Sequence, residues 1–152
     1  LDARRAGHRR DLGVDAVDEL LDEAASRTEP LGAAPRKYFR ADFAADPDLF
    51  ARLARERGAT VFVFSGSLNT FEQPAALTIL DRAWAALSGI DTGQLAFNFL
   101  STRHHRPGAD NTGPARRFDP LAVLDWALER TPRVRYRQDH LAGHDGLVWM
   151  AR

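Results

Sequence analysis

Hydrophobic positions along this chain fall into short runs separated by helical stripes and polar turns. From Thr60 to Phe64, five apolar or β-branched residues follow one another without alternation. That pattern predicts a strand buried on both faces of a parallel sheet. The run stops at Ser65-Gly66-Ser67 and continues into Asn69-Thr70, a small polar turn. Open α/β sheets bind ligands outside the carboxyl ends of their strands. Ala59 to Thr70 is therefore the stretch around which the rest of the chain is arranged.

Taken in order, Leu1 to Ala6 reads as the tail of a helix, with Gly7 as its stop. Leu12-Gly13-Val14 is a short strand closed by Asp15. Ala16 to Arg27 carries Val17, Leu20, Leu21, Ala24 and Ala25 at helical spacing. Asp15, Asp18 and Glu19 lie where carboxylates complement a helix dipole. A loop with Pro30, Gly32 and Pro35 leads to a strand from Lys37 to Ala41, ending at Asp42-Phe43. Asp46-Pro47 predicts an N-cap with proline at the first helical position, and a helix burying Leu49, Phe50 and Leu53 up to Gly58.

After the central run, Pro74 opens a helix with Leu77, Leu80, Trp84 and Leu87 on one face. Thr92 to Leu100 holds the apolar run Leu95 to Phe99, interrupted by Asn98. Ser101 to Phe118 is irregular and rich in arginine. Asp119-Pro120 repeats the cap-plus-proline device and predicts a helix burying Leu121, Leu124 and Leu128. Val134, Tyr136 and Gln138 alternate with Arg135 and Arg137, and Leu147 to Ala151 is a last apolar strand. The segment Asp139 to Gly146 between them suits a hairpin turn. Strands alternating with helices imply parallel βαβ units, and two strands joined without a helix must be antiparallel. The fold class expected is α/β: a single domain over residues 1–152, with a doubly wound, mostly parallel sheet ending in an antiparallel hairpin.

Composition narrows the function. The chain has 152 residues, 44% of them hydrophobic and 28% charged, as in an ordinary globular domain. Basic and acidic residues number 21 each, so no overall field draws the chain to nucleic acid or an anionic membrane. Lys37 is the only lysine. Cysteine is absent, which excludes disulfides, thiolate metal sites and a cysteine nucleophile. No apolar run reaches the ~18 to 20 residues of a membrane span. The expectation is a cytoplasmic protein whose partner is a small molecule.

Candidate chemistry gathers at the strand ends. His104 and His105 follow the strand that ends at Leu100, and could act as a general base. Arg103, Arg106, Arg116 and Arg117 in the same segment could clamp a carboxylate or phosphate, or simply solvate a loop. Asp15 could cap a helix, and Asp42 could be a turn residue. His140 and His144, with Asp139 and Asp145, show no distinctive ligand spacing and read as a turn. Trp84, Trp126 and Trp149 read as core residues.

In this order, the chain resembles the class I S-adenosylmethionine-dependent methyltransferases, from the end of their first helix to their C-terminus. The resemblance rests on Asp15 in LGVDAVDELLDEA, on Asp42-Phe43 in YFRADF, on the turn at Ser65, Gly66, Ser67 and Asn69, and on the closing hairpin. It implies that Asp15 holds the ribose of S-adenosylmethionine, that Asp42 and Phe43 face its adenine, and that Ser65 and Gly66 border its methionine end. Ser67, Asn69, Arg103 and Arg106 would then face the methyl acceptor.

Two departures accompany the likeness. The family's Gly-rich loop is absent, since Gly7 and Gly13 are the only glycines before Asp15. Such a loop precedes the acid that holds the ribose by about 20 residues. The chain therefore reads as N-terminally incomplete, with the family's first strand missing, and alone is expected to bind the cofactor poorly. Ala59-Thr60 also stands where the family often has an acid. A non-catalytic interaction module and a nicotinamide dinucleotide-binding domain stay open as alternatives. The closing hairpin speaks against the second.

Overall fold

The computed structural model describes residues 11–26, 36–105, 112–139 and 143–152. The expected helix tail at Leu1 to Ala6 lies outside the described residues, as do Arg106 and His140. The chain divides into two compact units, Leu1–Leu49 and Phe50–Arg152.

In the first unit, strand β1 (Asp11–Asp15) leads through helix α1 (Asp18–Ser26) to strand β2 (Arg36–Arg40). The two strands pair in parallel, with Gly13 opposite Tyr38 and Asp15 opposite Arg40. A Cβ at Gly13 would lie 2.3 Å from the Tyr38 ring, so any larger residue there would force that ring to move. The α1 stripe differs from the expectation. Leu21 is buried, whereas Val17 and Leu20 are exposed.

Helix α2 (Leu49–Arg57) starts at the boundary, and the second unit continues with strand β3 (Val61–Phe64), helix α3 (Gln73–Ala86) and strand β4 (Gln94–Ser101). A two-residue strand β5 (Arg117–Phe118), helix α4 (Pro120–Leu128), strand β6 (Val134–Arg137) and strand β7 (Asp145–Ala151) follow. The sheet order is β3-β4-β7-β6, with β5 also on β4. Pairing of β4 with β3 and β5 is parallel, and that of β7 with β4 and β6 is antiparallel. The closing hairpin forms as the sequence predicts, and β7 inserts between β4 and β6. The result is an α/β fold on a mixed sheet.

The core lies on one face of this sheet. Phe62 and Phe64 sit opposite Leu95 and Phe97, which sit opposite Met150 and Val148. All six are buried. Phe50 of α2 packs edge-on against Phe62 and Phe64, at centroid distances of 5.3 and 5.7 Å. Trp126 of α4 meets Phe97 edge-on at 6.0 Å. Helix α3 joins α4 through Asp81, which accepts from Trp126 Nε1 at 3.1 Å and Arg130 Nε at 2.7 Å. The opposite face carries Val61, Val63 and Leu147, all exposed, and Trp149, whose ring lies 5.0 Å from the Arg135 guanidinium.

These observations correct three expectations. Strand β3 is not buried on both faces at the centre of its sheet. It is an edge strand among the described residues of its unit, with burial that alternates, and Val63 is 68% exposed. The physical reason is that α2 covers only the face bearing Phe62 and Phe64. Helix α4 also turns a different side inward. Val123, Trp126 and Ala127 are buried, while Leu121 and Leu128 face solvent. Trp149 is likewise half-exposed rather than core.

Candidate functional site

At the carboxyl end of the β1–β2 pair, Asp15 and Asp42 each shape the turn that follows their strand. Asp15 Oδ1 accepts from Val17 N at 3.0 Å, and its carbonyl accepts from Ala41 N at 2.9 Å. Asp42 Oδ1 accepts from Ala44 N at 2.8 Å and Ala45 N at 3.1 Å. Such turns leave one oxygen of each carboxylate without a donor among the described residues. Phe43, next to Asp42, is half-buried.

A second polar group forms at the carboxyl ends of β3 and β4. Ser65 and Gly66 are exposed directly after β3, and Gly66 adopts φ +71°, which glycine reaches without strain. The Gly66 N–H donates to Asn98 Oδ1 at 2.6 Å. Asn98 Nδ2 in turn donates to Asp145 Oδ2 at 2.9 Å. A turn, a strand and the start of β7 are thus tied through one amide side chain. Asn69 is buried, and its Oδ1 accepts from Leu100 N at 3.1 Å. Its carbonyl accepts from Arg116 N at 2.6 Å. These bonds give Asn69 a structural task beside the substrate contact expected of it. Ser67 is half-buried in the same turn.

The segment after β4 is tied to the segment before β7. Ser101 N donates to the His144 carbonyl at 3.2 Å and His105 N to the Gly143 carbonyl at 3.3 Å. His104 and His144 face each other edge-on at 6.2 Å, a pairing that the sequence did not suggest. His105 is exposed. The arginines attach to the chain itself. Arg116 Nε meets Glu72 Oε1 at 2.7 Å, Arg117 donates to the Ser101 carbonyl at 2.8 Å, and exposed Arg103 lies 3.9 Å from Asp119. Arg103, Arg116 and Arg117 thus each have a partner within the chain, while Arg106 lies outside the described residues. Burial pushes the Tyr136 phenol above its usual range, with a hydrogen bond to Ser101 pulling the other way. No group of three metal-ligating side chains occurs among the described residues.

Sequence reasoning missed Asn98 and Asp145 as site residues. Asn98 carried a signal, a polar residue inside an apolar run. Asp145 carried none, because its position depends on β7 pairing with β4 across 47 residues of chain.

No protein-family profile and no curated protein matches this chain. Solved structures do. A magnesium protoporphyrin IX methyltransferase from Synechocystis PCC 6803, solved with bound SAH, is 11% identical and aligns over 93% of this chain and 63% of its own, with a TM-score of 0.63. An O-methyltransferase family protein from Burkholderia thailandensis is 15% identical, over 94% of this chain and 43% of its own, with a TM-score of 0.64. A DUF574 family protein from Streptomyces avermitilis is 13% identical, over 97% and 66%, with a TM-score of 0.64. The chain spans less than two thirds of each of these structures. At such identities the likeness is one of fold, and the fold shared is that of the class I methyltransferases.

Proposed function

We propose that this chain belongs to an S-adenosylmethionine-dependent methyltransferase acting on a small-molecule acceptor, with its strands forming a doubly wound sheet of that kind. The observation that carries the reading is the pair of acids at the ends of parallel strands β1 and β2, each keeping one carboxylate oxygen without a donor among the described residues. A carboxylate oxygen lacking a donor fits a ribose hydroxyl or an adenine amino group, so the residues present suit the cofactor. Synechocystis magnesium protoporphyrin IX methyltransferase was solved with SAM bound as well as SAH, which supports the same cofactor here. Asp15 would hold the ribose, Asp42 and Phe43 the adenine, and Ser65 and Gly66 the methionine end.

When bound, the cofactor supplies an electrophilic methyl group on a sulfonium. The residues of this chain then need mainly to hold the acceptor in line with it. His104 and His105 are the groups that could take a proton from the acceptor; Ser67, Asn69, Arg103 and Arg106 would contact it. No helix of the described residues is long and apolar enough to cross a membrane, and the setting proposed is the cytoplasm. The test is calorimetric titration of the full-length protein with S-adenosylhomocysteine. Asp15→Ala should weaken binding by roughly 1 to 3 kcal/mol, about 5- to 150-fold. Unchanged affinity would remove Asp15 from the site, and no binding by the wild type would favour the non-catalytic alternative.

A further inference from the structure

Asp145 is a buried carboxylate with an incomplete set of partners. Its residue is 4% exposed, Oδ2 is held by Asn98 Nδ2, and Oδ1 is buried with no hydrogen-bond donor among the described residues. No arginine, lysine or histidine among the described residues forms an ion pair with it. Burying a carboxylate against a single neutral donor is costly, because the interior replaces neither its water nor a counter-charge. A buried polar group left without a partner calls for an explanation, and a donor that arrives with a ligand is one. The location agrees. Asp145 begins β7 opposite Leu100, at the carboxyl ends of β3 and β4, and Asn98 links it to the exposed turn at Gly66.

We propose that Asp145 Oδ1 is the docking point for an ammonium nitrogen of a small-molecule ligand, with Asn98 fixing the carboxylate and connecting it to Gly66. An ammonium supplies both things that the group lacks, an N–H donor and a positive charge, and a charge-assisted bond is about twice as strong as a neutral one. Because Oδ1 is covered in the unliganded chain, the nitrogen enters with local adjustment of the segments around it. Two sources share this chemistry: an amine that accepts the methyl group, and the aminoacyl end of the methyl donor. Only the choice between them rests on the methyl-transfer reading.

The test uses 15N-labelled full-length protein titrated with ethylammonium chloride against sodium chloride at equal ionic strength. Saturable shifts of the Asn98 side-chain amide and the Gly66 N–H are expected with ethylammonium alone. Asp145→Asn keeps an oxygen for Asn98 and removes the charge. It should weaken ethylammonium binding at least tenfold and raise Tm by several degrees, the signature of a group kept for binding at the expense of stability. Absence of saturable shifts in the wild type would overturn the proposal. So would an Asp145→Asn variant that binds ethylammonium as well as the wild type, or one that melts lower, since a purely structural carboxylate predicts both. Repeating the titration with S-adenosylhomocysteine and with methylthioadenosine, which lacks the aminoacyl end, separates the sources. Competition by the first alone assigns the site to the donor, and ethylammonium binding beside it assigns the site to the acceptor. An ethylammonium response without any S-adenosylhomocysteine binding would remove the methyl-transfer reading and leave this site standing.

Discussion

Gly146 sits opposite Phe99 where β7 meets β4, and a Cβ there would come within 2.6 Å of the Phe99 ring. That ring cannot simply retreat, because it stacks on Phe118 at 5.8 Å and is fully buried. Gly146→Ala is therefore an overpacking change, expected to cost about 1 to 3 kcal/mol. Thermal denaturation reads this as a lowered Tm, and an unchanged Tm would mean that the Phe99–Phe118 stack yields. At this scale, local signals were legible in the sequence. Asp119 caps α4 as its Asp-Pro pair predicts, accepting from Leu121 N at 3.1 Å. Contacts made only by the fold were not. His144 and Asp145 read as hairpin loop residues, and only the register of β4 with β7 brings Asp145 to Asn98.

Among the elements, β3 shows how composition hides a period. Thr60 to Phe64 is apolar throughout, yet Val61 and Val63 face solvent while Phe62 and Phe64 face the core. Two valines and two phenylalanines are equally apolar in a sequence, and nothing local says that a helix covers only one side. The structure separates them by consequence. Val63→Thr should change stability by less than about 0.5 kcal/mol, whereas Phe64→Ala should cost about 3 to 5 kcal/mol. Urea denaturation of the two variants checks this, and equal costs would show that the exposed face of β3 is covered in solution. Helix α4 makes the same point. Its leucines at 121, 124 and 128 share a stripe, but the larger ring of Trp126 takes the inward position against Phe97.

For the whole molecule, the alternation of strands and helices and the antiparallel ending were legible, because both follow from short-range pattern and connection length. Neither the division into two units nor the crowding of core side chains onto one sheet face was, since each depends on what packs where. The division carries a prediction. The β1–β2 pair is a two-stranded parallel ribbon, and two strands alone are marginal in water. Strand β4 has neighbours on both sides and buries Leu95, Phe97 and Phe99. Hydrogen exchange should therefore be slowest in β4 and β7, and faster by orders of magnitude in β1 and β2. Equal protection in the two groups would show that they open as one cooperative unit.

The insertion of β7 between β4 and β6 also sets a timetable for synthesis. When Arg137 leaves the ribosome, β6 has no strand to lie against, because its only partner among the described residues is encoded after it. At ~5 to 20 residues per second, the wait for Ala151 lasts roughly one to three seconds. During that interval β4 exposes the edge that β7 later fills, with Phe97 and Phe99 beside it. The nascent chain thus carries an open apolar strand while it is still being made, and a pause in translation between β6 and β7 lengthens the exposure.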